Sequence, residues 1–112
     1  MKKVLTTALI LLLVAGFVFA AGGRDRAPAE KKITIGYTFH SAQDVFQNIL
    51  KNEFVAIAEA NGVAVNVIDP LMDIERQTAA IETFITLGVD AIVCSPLDYT
   101  GAIPGVLAAN AA

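Results

Sequence analysis

The stretch Val63–Cys94, VAVNVIDPLMDIERQTAAIETFITLGVDAIVC, decides the fold. Val63, Val65, Val67 and Ile68 are β-branched and nearly alternate, so residues 63–68 read as a strand, closed by Asp69-Pro70. Asp73 then stands where a helix cap belongs. Ile74, Thr78, Ile81, Phe84 and Ile85 recur at helical spacing until Gly88 stops the run. Residues 89–94, VDAIVC, are short and almost continuously apolar, as a strand buried on both faces should be. Strand, helix and strand at this spacing form a βαβ unit, whose two strands run parallel.

Working outward, the same change of period precedes this unit. Ile33, Ile35 and Tyr37 alternate with Thr34, Gly36 and Thr38, which predicts a strand. Phe46, Ile49, Leu50, Phe54, Ile57 and Ala58 then share one helical stripe. That predicts a helix over about 42–60, started by Ser41 with Asp44 as a capping-box-like pair and stopped by Asn61-Gly62. After Cys94 comes a loop, Ser95-Pro96-Leu97-Asp98. A third helix follows over residues 99–112, capped by Asp98 and expected to be interrupted or restarted at Pro104.

Two successive right-handed units give an α/β fold: a parallel sheet of strand order 2-1-3 with helices on both faces. In that order the third strand is an apolar edge with nothing over it, a liability in a finished domain. Ala108–Ala112 read as the middle of a further unit, so the expectation is a fragment or truncated reading frame.

The N-terminus reads differently. Met1-Lys2-Lys3 is basic, Val4–Phe19 is apolar apart from Thr6, Thr7 and Gly16, and Val18-Phe19-Ala20 supplies a cleavable end. Residues 1–20 have the layout of a secretory signal peptide, the apolar run falling short of the ~20 residues of a spanning helix. Residues 21–31 form a flexible leader and 32–112 an incomplete folded unit. With Lys2 and Lys3 removed, 6 basic side chains face 11 acidic ones, a formal charge of −5. Such a surface repels phosphate backbones, so no nucleic-acid partner is expected. Cys94 is the sole cysteine, which excludes an intrachain disulfide. No cysteine follows the apolar run to carry a lipid, so the expected location is the periplasm or beyond.

In open α/β sheets a ligand sits past the carboxyl ends of the strands, where the strand order reverses. Here that is between the first and third strands, bordered by residues 38–44 and 95–98. Neither loop carries a glycine-rich phosphate cradle, and Asp44 sets a negative charge where a phosphate would need free N–H groups. A phosphoacceptor receiver would close its third strand with Asp; here the residue is Ser95. One His and one Cys, far apart, give no metal-ligand spacing. Neither catalysis nor a cofactor is expected.

The same loops suit a neutral polyhydroxyl ligand. Asp44 can accept two hydroxyl hydrogen bonds, and Phe46 can lay its ring on the C–H face of a sugar. Gln47 and Ser95 add an amide and a hydroxyl to fix orientation, and His40 lies in the same loop. Each has a structural alternative: Asp44 as helix cap, Phe46 as core, His40 as a loop residue. Cys94 reads as a small buried apolar group.

From Lys31 onward the sequence resembles the first lobe of the ribose-type periplasmic sugar-binding proteins. The resemblance rests on ITIGYTF (33–39), SAQDVFQNILKNEFVAIAEANGVAV (41–65), and LGVDAIVCSPLD (87–98) followed by an alanine-rich helix. Relatives carry Asn or Asp, one intervening residue and then two aromatics at the start of the first helix. Here Asp44-Val45-Phe46-Gln47 replaces the second aromatic with an amide, and Ser95 is the polar residue before the proline. The resemblance implies a soluble receptor that closes two lobes on a sugar and delivers it to an ABC permease in the inner membrane. Two alternatives stay open: a receptor that presents its ligand to a signalling or chemotaxis partner, and an exported α/β enzyme with its catalytic residues beyond Ala112. Effector-binding domains of transcription repressors share the fold, but a signal peptide and the lack of a DNA-binding helix pair argue against them.

Overall fold

The computed structural model describes residues 29–112, so the expected signal peptide and most of the leader lie outside the described residues. Lys31–Ala112 form one compact unit. Its elements in order are β1 (Thr34–Thr38), α1 (Val45–Ala60), β2 (Ala64–Ile68), α2 (Ile74–Leu87), β3 (Ala91–Cys94) and α3 (Tyr99–Ala111). The three strands are parallel in the order β2-β1-β3, as the alternation of periods requires. Thr34 pairs with Ala64, and Ile35 with Ala91, so the strands end together at Thr38, Ile68 and Cys94.

Central strand β1 shows why two layers of helix form. Its side chains alternate between faces. Tyr37 packs on Phe54 of α1, ring centroids 4.9 Å apart, while Gly36 meets Phe84 of α2. Phe39, two residues past Tyr37, keeps to the α1 side with its ring 5.9 Å from that of Tyr37. Phe39 and Phe84 are among the most completely buried large side chains of the unit. Burial also pushes the Tyr37 phenol above its ordinary pKa.

Several local expectations are corrected. Helix α1 begins at Val45 rather than near residue 42, because Asp44 and not Ser41 is the cap. The Asp44 carboxylate accepts from the Gln47 amide at 3.0 Å. Ser41 is buried and its hydroxyl instead accepts from the Gln43 amide at 3.1 Å, in the turn before the helix. The stripe α1 turns inward is rotated by about one residue from the apolar one. Gln47 and Ala58 are buried and Phe54 is half-buried, while Phe46, Ile49, Leu50 and Ile57 are exposed.

On α2 the buried residues are Gln77, Ala80, Ile81 and Phe84, with Ile74 exposed and Thr78 half-buried. Gly88 ends that helix in the left-handed conformation, φ 65°, which glycine adopts without strain. Strand β3 starts at Ala91, two residues later than read. Asp90 is spent on its neighbour instead: its amide donates to the Thr34 carbonyl at 2.8 Å, and its carboxylate accepts from the Thr34 amide at 2.9 Å. As an edge strand, β3 is half-buried or exposed rather than buried on both faces. A groove of about 600 Å³, lined in part by Ile85, Ile92 and Val106, runs beside it.

Helix α3 continues through Pro104 without interruption. A proline there removes the hydrogen bond to the Thr100 carbonyl, and Thr100 is exposed to water, which can take that bond's place. Asp98 caps α3 as expected, its carboxylate accepting from the Gly101 amide at 2.5 Å. Among the described residues no helix is long and apolar enough to cross a membrane.

Candidate functional site

Three loops leave the carboxyl ends of the strands, and hydrogen bonds tie them together. The β2–α2 loop reaches the β1–α1 loop twice. The Asp69 carboxylate accepts from the Ala42 amide at 2.9 Å, and the Met72 amide donates to the His40 carbonyl at 2.9 Å. Asp69 also accepts from the Leu71 amide at 2.8 Å. This fixes a turn in which Leu71 and Met72 both adopt left-handed backbone, φ 56° and 63°, a conformation that costs a side-chain-bearing residue on the order of 1 kcal/mol. Such strain persists only where the surroundings over-determine it, which these bonds do.

The β1–α1 and β3–α3 loops are joined by His40 and Gln77. The His40 ring lies with Nε2 3.2 Å from the Pro96 carbonyl, so Nε2 carries the proton and donates. Gln77 is 4% exposed. Its Nε2 donates to the Phe39 carbonyl at 3.1 Å and to the Ser95 carbonyl at 3.0 Å, and its Oε1 accepts from the Leu97 amide at 2.9 Å. The Ser95 amide extends the sheet by donating to the Thr38 carbonyl at 3.0 Å.

Within this frame each candidate residue has a definite position. Asp44 is half-buried and is the cap of α1, through Oδ1. Its Oδ2 has no hydrogen bond to another described residue, so capping and ligand contact are compatible in one carboxylate. Phe46, in the first turn of α1, is 66% exposed. It is therefore no core residue of this unit, and its ring is free to stack. Gln47 is buried, and its Oε1 has no hydrogen-bond partner among the described residues. A buried carbonyl oxygen without a partner is costly, which marks Gln47 as a group that gains from a donor. Ser95 is half-buried at the end of β3, with its backbone engaged on both sides and its hydroxyl unbonded among the described residues. His40 is half-buried and commits Nε2 to Pro96. All five belong to the two loops that flank the β1/β3 switch point or to the first turn of α1.

Cys94 is half-buried, and burial holds its thiol above the ordinary cysteine range. Among the described residues no three His, Cys, Asp or Glu side chains come together to hold a metal ion. Two residues that organise the site went unread in the sequence. Asp69 registers there only as a strand terminator. Gln77 carries a clearer signal, since it shares a helical stripe with Ile81 and Phe84, and a polar group on a core stripe has to be satisfied by something.

Residues 35–112 match the family described as periplasmic binding protein domain. The ribose import binding protein RbsB of Bacillus subtilis (strain 168) is 30% identical over 116 residues, covering 99% of this chain and 38% of that protein. An ABC transporter solute binding protein from Mycobacterium smegmatis, solved with bound glycerol, superposes with a TM-score of 0.68 at 30% identity, over 71% of this chain and 28% of its own. The periplasmic binding protein component of the arabinose ABC transporter from Shewanella sp. ANA-3, bound to α- and β-L-arabinofuranose, gives a TM-score of 0.66 at 27% identity, over 70% of this chain and 26% of its own. The chain thus spans 38% of the length of the first relative and little more than a quarter of the other two.

Proposed function

The chain belongs to the family of periplasmic binding protein domains, and on that premise we propose that it forms part of one lobe of an extracytoplasmic receptor that captures a sugar for an ABC-type importer. The family is a binding class rather than a catalytic one. The observation that carries the sugar reading is the pair at the start of α1. An exposed Phe46 ring stands beside an Asp44 carboxylate with one oxygen uncommitted, at the carboxyl ends of the strands. A ring face and a double acceptor are what the C–H and O–H surfaces of a monosaccharide require. Gln47 Oε1 and the Ser95 hydroxyl complete the polar set, and His40 ties its loop to the Pro96 carbonyl through Nε2.

Similarity to the ribose import binding protein across nearly the whole chain favours the ribose-type branch. The polyhydroxyl molecules bound by the two solved relatives, glycerol and an arabinofuranose, favour a neutral polar ligand over an ionic one. In this reading a second lobe closes over the ligand and the closed receptor docks on a membrane permease. Residues 1–20 are a cleavable export signal, 21–31 a leader, and 32–112 the lobe.

The test is calorimetric titration of the full-length protein with D-ribose, L-arabinose, D-galactose and, as an ionic control, an amino acid. Saturable binding of at least one sugar and none of the amino acid is expected. Binding of the amino acid alone would overturn the reading.

A further inference from the structure

We propose that Gln77 is a positioning residue for the ligand cleft: its amide, a donor at one end and an acceptor at the other, holds the β1–α1 and β3–α3 loops at a fixed separation and so sets the affinity of the site between them. The affinity half of this inference rests on the sugar-binding reading; the clamp itself does not.

The argument starts from what an amide can do. Gln77 Nε2 has two hydrogens, and each has its own carbonyl, Phe39 at 3.1 Å and Ser95 at 3.0 Å. Oε1 faces an N–H, that of Leu97, at 2.9 Å. Turning the amide over would set oxygen against two carbonyls and nitrogen against an N–H, so the observed orientation is the only one the surroundings accept. The side chain is almost fully buried, so no water replaces these bonds at low cost. The three partners are also well placed. Phe39 opens the loop that holds His40 and Asp44, Ser95 closes β3, and Leu97 precedes the Asp98 cap of α3. The start of α2 is itself pinned, since the Asp73 carboxylate caps it through the Arg76 amide at 3.0 Å and the Gln77 amide donates to the Asp73 carbonyl at 3.0 Å. Gln77 therefore joins a fixed helix start to both loops.

Two substitutions of similar size separate the chemistry from the packing. Gln77→Met keeps the volume and removes donor and acceptor alike. Gln77→Glu keeps the acceptor for Leu97 but sets a carboxylate oxygen against two carbonyls. Burial and those carbonyls favour the protonated acid, which regains one donor. The titratable side chains nearest in sequence to the clamp and its partners are Asp73, Glu75 and Arg76 at the start of α2, Tyr37 on β1, His40 on the β1–α1 loop, Cys94 and Asp98 flanking the β3–α3 loop, and Tyr99 at the start of α3. None of these side chains bonds the side-chain amide of Gln77, and all are present in wild type, which serves as the control at every pH.

The experiment uses the full-length protein and two readouts between pH 5 and 8: hydrogen exchange of the Leu97 amide and neighbouring loop amides, and affinity for the tightest binder among D-ribose, L-arabinose and D-galactose. Gln77→Met is expected to speed Leu97 exchange and weaken binding roughly tenfold at every pH, the loss of about one net hydrogen bond. Gln77→Glu is expected to bind as weakly at pH 8 and to recover toward wild type at pH 5, with loop exchange slowing in parallel. Wild-type affinity and exchange in both variants, or a Gln77→Glu defect that ignores pH, would overturn the clamp. If wild type binds none of the sugars, the sugar reading fails, and the exchange data alone decide the clamp by the same criteria.

Discussion

Gly36 of β1 lies against the ring of Phe84 of α2 so closely that a methyl group on Gly36 would fall 2.6 Å from Phe84 Cδ2. Phe84 has no exposed surface and nowhere to retreat. Only glycine allows α2 to approach β1 this closely, and that approach brings Gln77, two turns earlier on the same helix, up to the loop ends. Gly36→Ala is therefore expected to destabilise the unit by about 1–3 kcal/mol or more, read as a fall in denaturation midpoint. Adding Phe84→Leu should recover part of the loss. A double variant no more stable than the sum of the two single losses would place the strain elsewhere.

Asp69 gives a second expectation. Its carboxylate holds the Ala42 and Leu71 amides and so keeps Leu71 and Met72 in left-handed backbone. Asp69→Ala should cost about 1–3 kcal/mol and loosen the β2–α2 loop. Faster hydrogen exchange at Ala42 and Met72 would report it, and unchanged exchange at both amides would contradict it.

A pH dependence follows from Asp90. Its carboxyl is held below the ordinary range chiefly by the hydrogen bond from Lys31 Nζ at 2.6 Å, and then by that from the Thr34 amide. A carboxyl depressed in the folded state stabilises above its unfolded pKa of about 3.9 and loses that contribution as pH falls through its folded value. Asp90→Ala should lower the melting temperature slightly at pH 7, and the gap from wild type should close below about pH 3.9. Lys31 is 81% exposed, so the effect is small and weakens in salt. A gap that widens on acidification would assign the stability to another group.

Sheet order and element sequence were legible because alternation at one period and recurrence at another are set by burial on two faces of one sheet. Capping by Asp98 and the stops at Asn61-Gly62 and Gly88 were legible for a local reason, since a few neighbouring residues decide them. Less accessible was the rotation of α1. Of the expected stripe Ala58 is buried and Phe54 half-buried, yet Phe46, Ile49, Leu50 and Ile57 are exposed and the polar Gln47 is buried. The candidate site residues were chosen by position, from the rule that ligands meet strand ends. What connects their loops, Asp69 and Gln77, depends on bonds between residues 18 to 38 positions apart, which no local pattern encodes.

Asp44 separates two roles that one carboxylate can hold. Asparagine caps a helix about as well as aspartate, so Asp44→Asn should leave the melting temperature nearly unchanged. It removes the charged acceptor, and sugar affinity is expected to fall by roughly 5- to 150-fold, the loss of about 1–3 kcal/mol. Unchanged affinity in a variant of unchanged stability would leave Asp44 a cap and nothing more.

The most direct test of the site is Phe46→Ala in the full-length protein, with melting temperature and sugar affinity measured on the same preparation. At 66% exposure the ring contributes little to the fold, so the melting temperature should move by no more than a surface substitution does, about 0.5 kcal/mol in stability. Affinity for the bound sugar should fall about tenfold or more, because the stacking face is gone. A melting temperature that drops while the folded protein binds sugar as wild type does would make Phe46 scaffold and move the ligand away from the carboxyl ends of β1 and β3.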